Sequence, residues 1–199
     1  TDRWDGLLLG ATLATLDAGQ GYGVVEDGAL GWKDGALAYV GTRGGLPGVV
    51  DELADEVIET DGVVTPGLVD CHTHAVFAGD RAGEFELRLQ GASYEQIARA
   101  GGGILSTVRA VRDADEDALL RESEPRIAAL VRDGVTSLEI KSGYGLDFDN
   151  ERKMLRVARA LGERFGITVS TTCLAAHALP PNRSPCSVTR SRPPLRRDG

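Results

Sequence analysis

Near residue 63, the sequence changes from short, closely spaced apolar runs to an alternation of strand and helix patterns. Strand patterns at 135–140 and 167–174 flank a helix pattern at 150–165, whose apolar residues lie on one face. This alternation favours a parallel sheet covered by helices. We therefore predict an α/β fold for residues 65–181, in the form of a partial, truncated (β/α)8 barrel. It is partial because these residues are fewer than half of the about 250 in a complete barrel.

The first part of the chain, residues 1–64, is dense in glycine and in short apolar runs. Asp34-Gly35 lies between two of these runs, which is a strong hairpin signal. We expect a small, turn-rich β-sandwich lobe with antiparallel strands. A lobe of this kind before an alternating strand and helix pattern favours the barrel over a doubly wound sheet.

Within residues 65–181, the pattern at 93–100 indicates a short helix that breaks at Gly101-Gly102-Gly103. The segment 116–132 has apolar residues at mostly helical spacing, and Pro125 in it indicates a helix start or a kink. The glycine triplet is a weak phosphate-binding signal without a following Lys-Ser/Thr, so we interpret it as a mobile loop.

Composition limits the partners and the compartment. A formal net charge of −8 argues against nucleic acid and anionic membranes as partners. No run approaches the roughly 20 apolar residues of a membrane span, and residues 1–5 lack the plan of a signal peptide. Three scattered cysteines suit a soluble protein of the reducing cytoplasm, and two of them, Cys71 and Cys173, are expected to be small buried hydrophobes.

The segment 182–199 differs from the rest of the chain. It contains five arginines, one acidic residue and almost no apolar side chains, although acidic residues outnumber basic ones, 30 to 22, in the chain as a whole. We expect this tail to be disordered. A nucleic-acid-binding arm is one interpretation of it, and we favour the other, a frameshifted or prematurely ended reading frame.

A His-x-His pair gives the clearest chemical signal. His72 and His74 follow a Pro66-Gly67 turn and a short apolar stretch, which we interpret as a buried strand. Side chains at i and i+2 of a strand point to the same side, so the strand would present two imidazoles together at its carboxyl end. Two neutral imidazoles aimed at one point can bind a metal ion, and we favour this interpretation over two unrelated surface histidines because the chain has only three histidines. The pair therefore predicts a metal site.

Six segments of the sequence resemble the metal-dependent amidohydrolases and, within them, the imidazolonepropionase family. The resemblance stops near Pro181, and its segments are Thr65–His74, Phe77–Arg81, Glu84–Tyr94, Ala100–Ile104, Glu139–Leu146 and Ala176–Pro181. It implies hydrolysis of a cyclic amide C–N bond, opening 4-imidazolone-5-propanoate to N-formimidoyl-L-glutamate in histidine degradation. It also implies one zinc or iron ion per complete site.

The resemblance further assigns roles to single residues. It implies that His72 and His74 bind the metal, and that another histidine and an aspartate from later strands complete the site; neither lies in this chain. Arg81 would grip the substrate carboxylate, and Tyr144 would contact the ring. His177 would contact the ring carbonyl or move protons. Lys141 stands where some amidohydrolases have a metal-bridging lysine, but we assign it a structural role.

Two kinds of function stay open. The chain is expected to derive from an imidazolone hydrolase, or from another cyclic-amide hydrolase or aminohydrolase of the same superfamily. Because later ligands are missing, the 199-residue chain is expected to be an inactive, non-catalytic fragment. The expected partner is the small-molecule substrate, with homodimerisation as an option for the full-length protein.

Overall fold

The computed structural model describes residues 3–17, 19 and 21–178. The tail at 182–199, with its cysteine, lies outside the described residues. The chain divides into two compact units between Pro66 and Gly67, and each unit is treated by itself below.

The first unit is built on one mixed sheet, in which the strand order is β3-β2-β1-β4 and the short β5 also pairs with β1. The pairs β1–β2 and β2–β3 are antiparallel, whereas β4 and β5 both run parallel to β1. A 3₁₀ turn and a single-turn helix precede β4. The elements are β1 (Trp4–Ala14), β2 (Val24–Lys33), β3 (Ala36–Thr42), the 3₁₀ turn (Arg43–Gly45), α1 (Val50–Leu53), β4 (Ala54–Glu59) and β5 (Val63–Val64).

The hairpin prediction is confirmed, and the predicted sandwich is represented among the described residues by one sheet only. Asp34 and Gly35 join β2 to β3 with φ of 50° and 74°, the positive values that tight hairpins use. The described residues of this unit form one sheet instead of two packed sheets. Its main buried cluster is small: it consists of Leu7 and Leu9 of β1 with two alanines from neighbouring strands. The chain returns through α1 to place β4 parallel to β1, which a purely antiparallel lobe would not do.

Within residues 67–178, the second unit contains a three-stranded parallel sheet in the order β6-β7-β8, together with five helices. β7, α6 and β8 form a strand-helix-strand unit, the connection that parallel strands require. The elements are β6 (Leu68–Thr73), α2 (Ala82–Leu89), α3 (Tyr94–Arg99), α4 (Ile104–Asp113), α5 (Glu116–Arg132), β7 (Val135–Lys141), α6 (Phe148–Phe165) and β8 (Thr168–Thr172).

The two long helices confirm the helical patterns of the sequence. Asp115 caps α5 by accepting from the Ala118 N–H at 2.7 Å, and Asp147 caps α6 in the same way. Pro125 lies inside α5, so the prediction that it starts a helix is wrong. Apolar residues of α6 pack into the core of the unit with those of β7 and α5. The apolar face of α6 thus covers the sheet, as its spacing predicted.

Other expectations need correction. β6 forms where predicted but is not buried, because it is the edge strand of the described sheet: Leu68 and Val69 are 52% and 69% exposed. Cys71 lies on this edge strand, and Cys173 directly follows β8, the other outer strand of the described sheet. Both cysteines are exposed and are not core residues. The α/β class is confirmed for the second unit, and its described residues contain no closed barrel. Two helices, α2 and α4, were not predicted. No helix in the described ranges is long and apolar enough to cross a bilayer.

Candidate active site

The carboxyl end of β6 presents the two histidines. β6 ends at Thr73, so His72 is the penultimate residue of the strand and His74 directly follows the strand. The two ring centroids are 6.0 Å apart, with an angle of 62° between the ring planes. Thr73 Oγ1 donates to the Glu139 carbonyl at 2.8 Å and fixes this end of β6 to β7. Strand pairing therefore holds the backbone from which both imidazoles project.

Two further rings join His74. The His177 ring lies 5.0 Å from that of His74, and the Tyr144 ring lies 5.4 Å from it, between centroids. Tyr144 and His177 are themselves 5.9 Å apart. All three follow the carboxyl ends of parallel strands, β6, β7 and β8, which is the edge where α/β enzymes place working residues. The structure thus brings together four of the predicted site residues, and we call these four the ring cluster (His72, His74, Tyr144, His177).

A buried carboxylate shapes the loop that carries Tyr144. Glu151, only 2% exposed, accepts hydrogen bonds from the backbone N–H groups of Gly145 and Leu146 at 2.8 and 2.7 Å. A Cβ at Gly145 would lie 2.5 Å from the Glu151 backbone nitrogen. A side chain at Gly145 would therefore push the loop away from Glu151 and disturb the hydrogen bonds to its carboxylate. Arg112 donates to the Gly145 carbonyl at 2.8 Å. The loop is therefore held from both sides, and Glu151 is a residue that sequence reasoning missed.

The turn that carries His177 rests on the same loop. Ser142 accepts from the Leu174 N–H at 3.0 Å, and its own N–H donates to the Thr172 carbonyl at 3.0 Å. Gly143 has a φ of 128° and a bare α-carbon against His177; an added Cβ would lie 3.0 Å from the His177 Cβ. The loop at residues 142–145, which follows β7, thus positions the turn of His177 as well as Tyr144.

Arg81 lies at the start of α2, outside the ring cluster. Its Nε donates to Glu84 Oε2 at 2.7 Å, and its side chain is 48% exposed. Burial raises the pKa of the Tyr144 hydroxyl, and the positive charge of Arg81 partly opposes this shift. Arg81 is therefore close enough to act on Tyr144 electrostatically, although no direct contact joins it to the ring cluster among the described residues.

Lys141 is engaged in an ion pair. Its ammonium group donates to Glu139, two residues earlier on β7, and Thr172 Oγ1 donates to the same carboxylate oxygen at 2.6 Å. The hydrogen bond from Lys141, followed by that from Thr172, lowers the pKa of Glu139, and burial opposes this. Sequence reasoning missed Glu139, although the spacing of two on a strand puts it on the same side as Lys141. The pairing agrees with a structural role for Lys141.

The surroundings of His74 favour its neutral form. Burial first, and then the charges of His177, His72 and Lys141, lower its pKa from the ordinary 6.5, while Glu139 acts in the opposite direction. Its Nδ1 atom is buried and has no hydrogen-bond partner among the described residues. A neutral imidazole with an unpaired nitrogen is the form of histidine that binds a metal ion.

The donor set fits a metal ion only in part. His72 and His74 supply two nitrogen ligands of suitable chemistry, and a structural or catalytic site needs three or four. Within residues 3–17, 19 and 21–178, no group of three His, Cys, Asp or Glu side chains is arranged to hold a metal ion. His72 and His74 alone thus fall short of the three or four ligands that a protein metal site requires.

The chain is similar in sequence to known hydrolases. It is 61% identical over 169 residues to an imidazolonepropionase of Pseudomonas entomophila (strain L48), a match that covers 84% of this chain and 41% of the relative. An imidazolonepropionase of Paracoccus denitrificans (strain Pd 1222) is 58% identical over 178 residues, covering 88% of this chain and 44% of the relative. The chain therefore spans less than half the length of the curated relatives it matches. No protein-family model matches the chain.

The fold is also similar to that of solved hydrolases. A triazine hydrolase from Arthrobacter aurescens aligns with a TM-score of 0.55 and 16% identity, over 86% of this chain and 36% of the other. An atrazine chlorohydrolase from Arthrobacter aurescens TC1 complexed with zinc aligns with a TM-score of 0.51 and 15% identity, over 84% and 35%. At this identity the similarity concerns the fold alone: the described residues align with one part of a larger hydrolase fold.

Proposed function

We propose that this chain, a homologue of the imidazolonepropionases over the part of them that it spans, carries the first portion of an active site that opens 4-imidazolone-5-propanoate to N-formimidoyl-L-glutamate. The observation that carries the proposal is the ring cluster, in which three histidines and a tyrosine from three parallel strands meet at one edge of the sheet. In this proposal, the described unit is the first part of a (β/α)8 barrel, and residues of later strands complete it.

In the proposed site, His72 and His74 hold one zinc or iron ion with ligands from later strands. The metal supplies electrophilic assistance to hydrolysis of the ring amide, which is slow at neutral pH. The neutral state favoured for His74 supports this assignment, since a protonated imidazole cannot bind a cation.

The substrate is an anion with a flat polar ring. Arg81 would bind its carboxylate, because a guanidinium matches a carboxylate with two parallel hydrogen bonds. Tyr144 would contact the ring, and His177 would hydrogen-bond the ring carbonyl or transfer a proton to the departing nitrogen. The 5.0 Å spacing between the His177 and His74 rings supports this role, because it puts His177 beside the proposed reaction centre.

For the 199-residue chain itself, we propose no turnover. The chain has three histidines, and the proposal uses two for the metal and one for the substrate, so ligands are lacking. Another cyclic-amide hydrolase activity is the alternative for a completed site, and the alignment with triazine hydrolases concerns only the fold.

The test uses a completed protein, in which residues 1–178 of this chain are continued by the corresponding C-terminal part of the Pseudomonas entomophila relative. We expect it to open 4-imidazolone-5-propanoate, whereas the 199-residue chain shows negligible turnover under the same conditions. Absence of turnover by a folded, metal-loaded completed protein, or turnover of dihydroorotate or hydantoin in place of this substrate, would overturn the assignment.

Metal binding and turnover are compared in two variants, one at a proposed metal ligand and one at an exposed residue nearby. His72→Ala in the completed protein should abolish metal binding and reduce turnover at least about 1,000-fold, since one ligand of a small set is lost. Asp80→Asn, at an exposed acidic residue between His74 and Arg81, serves as the control and should keep both metal binding and turnover.

Arg81→Ala should raise KM by about 100-fold with the metal retained, because a bidentate charge-assisted contact is removed.

A further inference from the structure

Glu84 makes two contacts that tie the start of α2 to the glycine triplet. One carboxylate oxygen, Oε2, accepts from Arg81 Nε at 2.7 Å, and the other, Oε1, accepts from the Gly103 N–H at 3.0 Å. The Glu84 side chain is only 15% exposed, in a helix that has no buried residues. Both of its oxygens are thus committed, and Glu84 is the one residue of α2 that is not exposed.

The glycine triplet is shaped to receive this carboxylate. A Cβ at Gly102 would lie 3.0 Å from Glu84 Oε1 and 2.6 Å from Ile97 Cγ2, so a side chain there would displace one of them. The Gly102 N–H donates to the Ile97 carbonyl at 2.9 Å, and Gly103 has a φ of 75°, which directs its N–H toward Glu84. The triplet is therefore a hydrogen-bonded turn that encloses the Glu84 carboxylate.

The contact with Glu84 uses Arg81 Nε and leaves the two terminal nitrogens of the guanidinium available to a ligand. Glu84 occupies Nε, and no described residue accepts from the two terminal nitrogens of Arg81. A guanidinium held at one edge keeps a donor pair for a ligand carboxylate on the other. Arg81 borders a recess of about 250 Å³, whose lining residues are Arg81, Glu84, Phe85, Arg88, Tyr94 and Ile97.

We infer that Glu84 is a positioning residue that aims Arg81 at the carboxylate of the substrate, with the glycine triplet as its support. The inference rests on the proposed function, because it takes the substrate to be an anion bound by Arg81. Without Glu84, the exposed Arg81 side chain would sample many rotamers and would lose entropy on binding each substrate molecule. Glu84 therefore acts on substrate affinity and not on the chemical step.

The first experiment compares Glu84→Gln with wild type in the completed protein. The Gln side-chain oxygen still accepts from the Gly103 N–H, but its amide group then faces another donor at Arg81 Nε. We expect KM for 4-imidazolone-5-propanoate to rise about 10-fold while kcat stays within about twofold. Glu86→Gln, with the same charge change at an exposed site of the same helix, is the control and should leave both constants unchanged.

The second experiment repeats the comparison with the neutral propanamide analogue of the substrate, which lacks the charge that Arg81 binds. We expect Glu84→Gln to change its KM by less than about twofold, since the lost contact matters only for the carboxylate. An equal rise for both substrates would show a general structural role, and no rise for either would show no role; each result would overturn the inference.

A third measurement needs only the 199-residue chain. In ¹⁵N-edited spectra, the Arg81 Nε–H signal should be protected from solvent exchange in wild type and in Glu86→Gln, and should be lost in Glu84→Gln. A signal unaffected by Glu84→Gln would overturn the inference. Failure of the completed wild-type protein to turn over any substrate would instead count against the proposed function, because the Arg81–Glu84 contact is observed separately here.

Discussion

Two parts of the candidate site are held in different ways. The ring cluster stands on the ends of β6, β7 and β8, and its loops are fixed by backbone hydrogen bonds to a buried carboxylate and a buried serine. The segment of residues 81–103, which we call the Arg81 segment, is built from two short helices with exposed apolar residues; Phe85 is 63% exposed and Leu89 is 74% exposed. No direct contact joins Arg81 to the ring cluster among the described residues.

The difference shows how one site combines fixed and adjustable groups. Groups that take part in chemistry need a fixed geometry, and rigid strand ends supply it. A residue that captures a charged substrate can be carried by a less enclosed segment, provided that one side chain orients it. In this protein, Glu84 has that role by our inference, while Glu151 and Gly143 fix the ring cluster.

The largest expected effect concerns the support of Tyr144. Glu151→Ala would leave the buried N–H groups of Gly145 and Leu146 without partners, so we expect the free energy of unfolding of the second unit to fall by about 2–4 kcal/mol. Urea unfolding followed by circular dichroism at 222 nm measures this, because the long helices lie in that unit. Glu163→Ala, on the exposed side of the same helix, should change stability by less than about 0.5 kcal/mol. Equal effects of the two would refute the anchoring role.

A smaller loss is expected at the loop that positions His177. Gly143→Ala introduces a Cβ 3.0 Å from the His177 Cβ at a φ of 128°, which L-residues rarely adopt. We expect a cost of about 1–3 kcal/mol together with a displaced His177, visible as a shift of its ring NMR signals. Gly166→Ala is the control, since Gly166 has a φ of 63° but nothing within 4 Å of the added Cβ. It should cost about 1 kcal/mol without moving those signals; matching shifts in both variants would contradict the account.

The Arg81 segment should tolerate change and exchange quickly. Phe85→Ser should alter the free energy of unfolding by less than about 0.5 kcal/mol, because the ring is 63% exposed. In hydrogen exchange, amides of α2 should exchange at least about 100-fold faster than those of β7, which is paired on both sides. Comparable protection of the two elements would remove the contrast between the parts of the site.

The smallest effect concerns the protonation of His74. Because burial and neighbouring positive charge lower its pKa, it should titrate below 6.5 in NMR spectra, and His177→Ala should move its midpoint toward that value. A lowered pKa means that the unfolded chain binds the proton more tightly. The contribution of His74 to stability is therefore complete above pH 6.5 and is lost as the pH falls through the folded-state value. A midpoint at or above 6.5 would contradict the burial of this ring.

Much of this organisation is visible in the sequence, where a pattern reports a local preference. The Asp34-Gly35 turn, the apolar face of α6 and the strand before His72 all follow from backbone preference or periodicity. The pairing of β4 with β1 could not be predicted in this way, because it depends on contacts between distant segments. Exposure of β6 and of Cys71 was missed for the same reason: an apolar strand pattern does not say whether another element covers it.

The site shows the same limit. His72 and His74 are recognisable because a spacing of two predicts side chains on the same side of a strand, and the structure places them at the carboxyl end of β6. Their approach to Tyr144 and His177 follows from the order of parallel strands, which the sequence suggested only through resemblance to a family. Glu84 and Glu151 carry no local signal, since an acidic residue in a helix usually faces solvent. Their importance comes from the backbone groups that the fold brings to them.

We propose that His72 and His74 are two ligands of a metal site that needs further ligands from later strands. Metal content per chain, measured by inductively coupled plasma mass spectrometry after gel filtration, tests this assignment. We predict about one zinc or iron ion in the completed protein, and less than about 0.1 in its His72→Ala variant and in the 199-residue chain. A stoichiometric metal ion in the 199-residue chain, or one retained by the His72→Ala variant, would contradict the account.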